Sequence, residues 1–249
     1  MDKSKLLSQV FSTYNWLRFG LVFIGVAFPI LLWLWGKVHH LPLQDSMSAY
    51  YWASIDGGYP PVRVWFVGGL FAMGSFLFIY KGYTSREDWA LNVAAVLVIL
   101  VALFPMGWNC GSDCPRVSVH YLSAIGFFLC ISYVAFFEAR RTLGELGDQW
   151  LQTLFNIRLQ TLFSIIYWVT SACFLVLPFV VLVVHWRTQN STVTFWLEAS
   201  LIYAFALFWL CKSVELLKSE AERGALQVAQ AAAEEAERRA LQEAQEAAE

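Results

Sequence analysis

Residues 17–36, 62–82, 88–108, 119–139, 159–185 and 193–214 are six apolar runs with few interruptions. About 20 mostly apolar residues in a helix cross the roughly 30 Å hydrocarbon core of a bilayer, so the pattern predicts six membrane-spanning helices. The first run, LRFGLVFIGVAFPILLWLWG, is too long for the apolar region of a cleaved signal peptide. The GKVHH that follows offers no small-residue cleavage site, so this run is read as a retained span.

The flanking segments have their own periodicities. In LLSQVFSTYNWL, residues Leu6, Leu7, Val10, Phe11, Tyr14 and Leu17 recur at helical spacing. This predicts an amphipathic segment over residues 1–16 that lies on the inner membrane surface. DQWLQTLFNIR, between the fourth and fifth runs, repeats the pattern, with Asp148 as N-cap. At the other end EAERGALQVAQAAAE (220–234) is followed directly by EAERRALQEAQEAAE (235–249), a tandem repeat with three differences. Its residues are strong helix formers with no proline, so the sixth span is expected to continue as a long cytoplasmic helix over 216–249. A stripe through Ala221, Ala225, Ala229, Ala232, Ala236 and Ala240 either faces water or packs on a second copy as a coiled-coil homo-oligomer. The expected fold is an all-α integral membrane protein: a six-transmembrane helix bundle over 17–215 between these two helical ends.

Composition supports that class. Hydrophobic residues make up 58% of the chain and charged ones 14%, against roughly a quarter charged in soluble domains, which excludes an ordinary soluble domain. Twelve Trp and ten Tyr suit the aromatic belts of membrane interfaces. The net charge of −2 matters less than its placement. With the N-terminus inside, Lys3, Lys5, Arg18, Lys81, Arg86, Arg140, Arg141, Arg158, Lys212 and Lys218 collect on the cytoplasmic side, and only Lys37, Arg63, Arg116 and Arg187 lie opposite. Both termini are therefore expected in the cytoplasm. No nucleic-acid partner and no cofactor are expected.

This orientation exposes FPMGWNCGSDCPRVSVHYLSAIGFF (104–128) and KVHHLPLQDSMSAYYWASIDGGYPPVR (37–63) on the outer side. Cys110 and Cys114 are expected to form a disulfide there that holds the turn in shape, since an oxidising compartment preserves one. Closing so small a loop contributes little chain entropy. Metal binding by the two would need further ligands nearby. Cys130, Cys173 and Cys211 sit in apolar runs and read as small hydrophobes. His39, His40, His120 and His185 all fall at the outer ends of spans, but no pair has the i, i+4 spacing of helical metal ligands, so no metal site is predicted.

An ionisable group within a span is costly and by default pairs or functions. Glu198, in VTFWLEASLIYAF, lies one to two turns below the outer surface, with Arg63 and His120 as its best-placed partners. Such a cluster either fixes helix packing or forms a pocket for a lipid head group, or an acid and base pair. Asn92, Ser164, Tyr167, Thr170 and Ser171 read as interhelical hydrogen-bonding groups, and Gly68, Gly69 and Gly74 as close helix contacts. Pro29 and Pro105 are candidate kinks.

SMSAYYW, RVWFVGGLFAMGSFLFIYKGY, AAVLVILVALFP and VHYLSAIGFF together resemble a six-span family of mostly bacterial membrane proteins of unknown function that share an outer-loop S-x-S-like element. The chain is more distantly similar to the DRAM-like six-span family. The resemblance covers residues 17–215. It matches Ser46 and Ser48 to the outer-loop serines, Arg63 to the polar head of the second span, Phe104 and Pro105 to the end of the third, and His120 to the start of the fourth. Where the DRAM-like relatives carry I-S-D-x-G, this chain has SIDGGYPP, with Asp56 in a different order. The resemblance implies a bacterial inner membrane and work on lipid: remodelling, asymmetry or autophagy in the DRAM-like relatives.

Three functions are then expected to compete. The first is a non-catalytic protein that binds or organises membrane lipid through an outward pocket of Ser48, Tyr50, Arg63, His120 and Glu198, with Arg63 as a phosphate fork. The second is an intramembrane lipid hydrolase, with His120 as base or metal ligand; no G-x-S-x-G or HExxH run supports it. The third is an oligomeric channel or transporter assembled through the tail; Glu198 toward the outer side instead of the midplane, and no repeat within 17–215, count against it.

Overall fold

The computed structural model describes residues 3–82, 84–108, 117–139, 154–187 and 192–215. Every element among them is helical. They are α1 (Lys3–Val38), a 3-10 turn (Ser48–Tyr51), α2 (Arg63–Ile79), α3 (Ser85–Leu103), α4 (Val119–Tyr133) with a π-helical continuation (Val134–Glu138), α5 (Leu154–Arg187) and α6 (Val193–Glu215). The chain divides into one compact unit, Met1–Lys212, and a second, Ser213–Glu249. The packing below is that of the first. The tandem repeat, the predicted cytoplasmic helix, the Asp148 cap and the Cys110–Cys114 pair lie outside the described residues.

Four helical segments are long and apolar enough to cross a membrane: Ser12–Val38, Val119–Glu138, Thr161–Arg187 and Val193–Glu215. The other two predicted spans fall short for different reasons. The 17 residues of α2 are apolar but span only about 25 Å. α3 has 19 residues, with Arg86, Glu87 and Asp88 in its first turn.

At the N-terminus the residues expected to lie on the inner membrane surface are helical and continuous with the first span. α1 is one continuous 36-residue helix from Lys3. Neither glycine nor proline occurs before Gly20, and once a helix is nucleated each further residue adds a hydrogen bond for little cost. Of the two candidate kink prolines, Pro29 is inside α1, whereas Pro105 follows the C-cap Phe104 and ends α3. Capping residues set other boundaries. Thr84 accepts from the Glu87 amide at 3.1 Å to start α3, and Ser118 from the Tyr121 amide at 3.4 Å to start α4.

Consecutive helices α1 to α4 pack side by side, and α5 packs on α4. α6 runs among them. It meets α1 where Gly25 approaches Ala206, α4 through Phe127–Phe205 (5.9 Å between ring centroids), and α5 through Tyr167–Phe208 (5.7 Å). Half of the most apolar window of α6 is buried, against 28% for α5, which makes α6 the central post. Gly69 and Gly74 do lie at close contacts, against Phe28 and against Ile99, but nothing approaches Gly68. Ser132 and Ser171 exchange hydrogen bonds with each other's backbone carbonyls between α4 and α5, at 3.0 and 3.1 Å. Thr170 bonds back to Ile166 and Asn92 to Asp88 within their own helices, so for these two the expected interhelical role is not what the bonds show.

Large apolar side chains face outward along the helices, among them Phe23, Leu122, Trp168 and Trp196. So much exposed apolar surface is untenable in water and costs nothing against lipid tails. With the four apolar helices, it points to a membrane location.

The bundle's two ends differ in chemistry. One carries the 39–62 connection and the cavity described below. At the other, Lys212 of α6 forms an ion pair with Glu87 of α3, both almost wholly buried, and Arg18 of α1 bonds Asn15 and Tyr80. Thr84 and Tyr133 donate to Glu138 at 2.6 and 3.1 Å. Arg18 and Lys212, counted above as charges on the inner surface, are each only 2% exposed and belong to the core.

Candidate functional site

After α1 the chain turns back over the helix ends, and a few hydrogen bonds fix its path. The Phe195 amide donates to the Asp45 carbonyl at 2.8 Å, tying the connection to the first turn of α6. Ser46 accepts from the Ala49 amide at 3.1 Å, which shapes the 3-10 turn, and Trp52 donates from Nε1 to the Met106 carbonyl at 2.9 Å. The turn is thereby held against the segment after α3.

Beneath it is a cavity of about 110 Å³ to which all six helices contribute. Its body is apolar, with Phe28, Leu70, Met73, Val98, Phe127 and Ile202 on the wall. Its polar lining, Ser46, Ser48, His120, Tyr121, His185, Thr194 and Glu198, comes from the 3-10 turn and from helix ends on the same side of the bundle.

His120, in the first turn of α4, is 3% exposed. Its Nε2 lies 2.9 Å from Ser48 Oγ, and its Nδ1 lies 3.2 and 3.0 Å from the carbonyl oxygens of Val101 and Phe104. Both carbonyls are free for a reason legible in the chain. In a continuing helix Val101 would accept from residue 105, which is Pro105 and has no N–H. Phe104 is the C-cap, beyond which the helix stops.

Glu198 does not pair with Arg63 or with the His120 ring. Its carboxylate accepts from the Met47 amide at 2.6 Å, with the Ser48 amide alongside, so it anchors the backbone of the turn that carries Ser48. Arg63 is elsewhere: its Nε donates to the Tyr51 carbonyl at 2.8 Å, and its guanidinium lies over the Tyr51 and Trp52 rings, 4.4 and 5.3 Å from their centroids. Tyr50 is not on the cavity wall either. Its ring is 1% exposed, pressed on Gly36 and Phe195, and burial raises its phenol pKa, with a bond at the Gln44 backbone partly offsetting the rise. Of the five candidate residues, the structure therefore brings together Ser48, His120 and Glu198, and places Tyr50 and Arg63 in packing roles beside them.

Two contributors to the cavity were not among the five candidates. Tyr121 follows His120 directly, and its hydroxyl lies 3.0 Å from Nε2 of His185, across from α4 to α5. In the sequence His185 stands out only as one of four histidines at outer span ends. Among the described residues no three His, Cys, Asp or Glu side chains come together as a metal site. His39 and His40 follow the end of α1 and do not line the cavity.

The arrangement is an apolar cavity with a serine–histidine pair, a tyrosine–histidine pair and an anchored carboxylate at one end. Comparison with protein-family models, with curated proteins and with solved structures finds no match for the chain.

Proposed function

We propose that the protein crosses the bilayer six times with both termini in the cytoplasm and binds one membrane lipid, a stretch of its chain in the cavity and its polar part against Ser48, His120 and Glu198. The observation that carries this reading is the division of the cavity, apolar along its body and polar at one end, which matches an amphiphile better than a sugar, a nucleotide or an ion. A space of about 110 Å³ admits only part of a lipid, so the remainder stays in the bilayer beside the bundle. Engaged with Tyr51, Arg63 serves to hold the rim in place instead of gripping a phosphate.

Native mass spectrometry of the detergent-purified chain tests the reading. We expect one lipid per chain in the natural sequence and none in Ala124→Phe, whose larger side chain enters the cavity from its α4 wall without removing a polar group, in a variant that circular dichroism shows to be folded. A folded chain that carries no lipid, or an Ala124→Phe variant that retains it in full, overturns the proposal.

A further inference from the structure

The Ser48–His120 contact has the features of a nucleophile with its base. A carbonyl oxygen only accepts, so with Val101 and Phe104 both facing Nδ1, the ring proton sits there. Nε2 is then a bare lone pair, and Ser48 Oγ–H, 2.9 Å away, donates to it. In hydrolase triads a carboxylate holds the histidine in this tautomer and orientation. Here two backbone carbonyls at the end of α3, Val101 freed by Pro105 and Phe104 at the C-cap, do so without a full charge. Both side chains border the cavity, so the hydroxyl is open to an occupant even though the imidazole is almost completely buried. Glu198, through the Met47 amide, positions the turn on which Ser48 sits.

We propose that Ser48 and His120 form a catalytic dyad that cleaves an acyl ester of the lipid in this cavity; the inference rests on the lipid-binding reading above for its substrate class. Ser48 Oγ attacks the ester carbonyl carbon as its proton passes to His120 Nε2. The carbonyl C–O bond to the alcohol then breaks, and the leaving alcohol takes that proton, which leaves an acyl-serine. A water, or a second alcohol, attacks the acyl-serine with His120 again as base. This releases the fatty acid or a transferred ester and restores the Ser48 hydroxyl.

Structural pairing alone would leave Ser48 inert, so the discriminating measurement is covalent. The full-length protein in detergent is treated with an alkyl fluorophosphonate, whose phosphorus the serine attacks with loss of fluoride, and the adduct is read by intact mass and peptide mapping. We expect one adduct, at Ser48, absent in Ser48→Ala and formed roughly a hundredfold more slowly in His120→Gln, the usual scale of general-base assistance. Pro105→Ala, which returns an N–H to the Val101 carbonyl and leaves both dyad residues in place, should also slow labelling, and serves if His120→Gln does not fold. No adduct on the folded natural chain, an adduct at another residue, or wild-type labelling rates in both His120→Gln and Pro105→Ala overturn the proposal. Lipid retained without labelling sinks the dyad and leaves lipid binding standing. Labelling at Ser48 without copurifying lipid does the reverse.

Discussion

His40 shows how a residue type that invites a chemical reading can serve the backbone. It has a φ of +57° just past α1, where the Leu41 amide reaches back to the Gly36 carbonyl at 2.9 Å. This is the left-handed helix stop that glycine usually fills, with Leu41 buried behind it. An L-residue there is strained by about 1 kcal/mol. His40→Gly is therefore expected to stabilise the protein by roughly 0.5–1 kcal/mol, seen as a higher melting temperature in detergent; a lower one would show that the imidazole makes a contact worth more than the strain. Pro105 is the second instructive residue. Its place after an apolar run marks a helix end in the sequence, but that the carbonyl it frees would fix the tautomer of His120 depends on α4 starting beside the end of α3. His120 and Glu198 were legible as candidates because ionisable groups stand out in apolar surroundings, and Ser48 through the outer-loop serines of the resemblance. Tyr121 was not, because an aromatic near a span end is ordinary in a membrane protein.

Among elements, the α2–α3 contact depends on a glycine. A Cβ on Gly74 would stand 2.7 Å from Ile99 Cγ1 and 3.1 Å from the Ala95 carbonyl, too close to fit without parting the helices. Gly68, on the same helix, has nothing within 4 Å. Gly74→Ala is expected to destabilise the fold by about 1–3 kcal/mol, and Gly68→Ala to be neutral or to stabilise it by up to about 1 kcal/mol from helix propensity. Thermal melts of the two variants side by side test the contrast, and equal effects would contradict the packing. The six long helices among the described residues were all visible in the hydropathy pattern; Pro105 stops α3 five residues before its expected end, and the other ends lie within a few residues of those observed except at the starts of α1 and α5. There the chain continues as helix into polar sequence, because helical propagation does not stop where apolarity does.

At the scale of the molecule, the Lys212–Glu87 pair ties α6 to α3 across 125 residues of sequence. Removing one member of a buried ion pair takes charge balance from the core, so Lys212→Met alone is expected to cost about 3–5 kcal/mol. Glu87→Gln combined with it should recover part of that loss, because the second change removes the opposite charge. A double-mutant cycle by thermal unfolding in detergent measures the coupling, and simple additivity of the two changes would rule the tie out. In sequence Lys212 reads as a charge on the inner surface, since a lysine at the end of an apolar run usually is one.

Helix existence and membrane character are local properties of this chain. Each backbone polar group in a spanning segment must be satisfied within its own helix, so twenty apolar residues carry that information without reference to any other part. The polar contacts are not local. Glu198 meets the Met47 amide, Ser48 meets His120 and Lys212 meets Glu87 across separations of 151, 72 and 125 residues. A buried polar group accepts whichever partner the packing brings within reach, and only the tertiary arrangement decided that Arg63 would stack on Tyr51 while a backbone amide took Glu198.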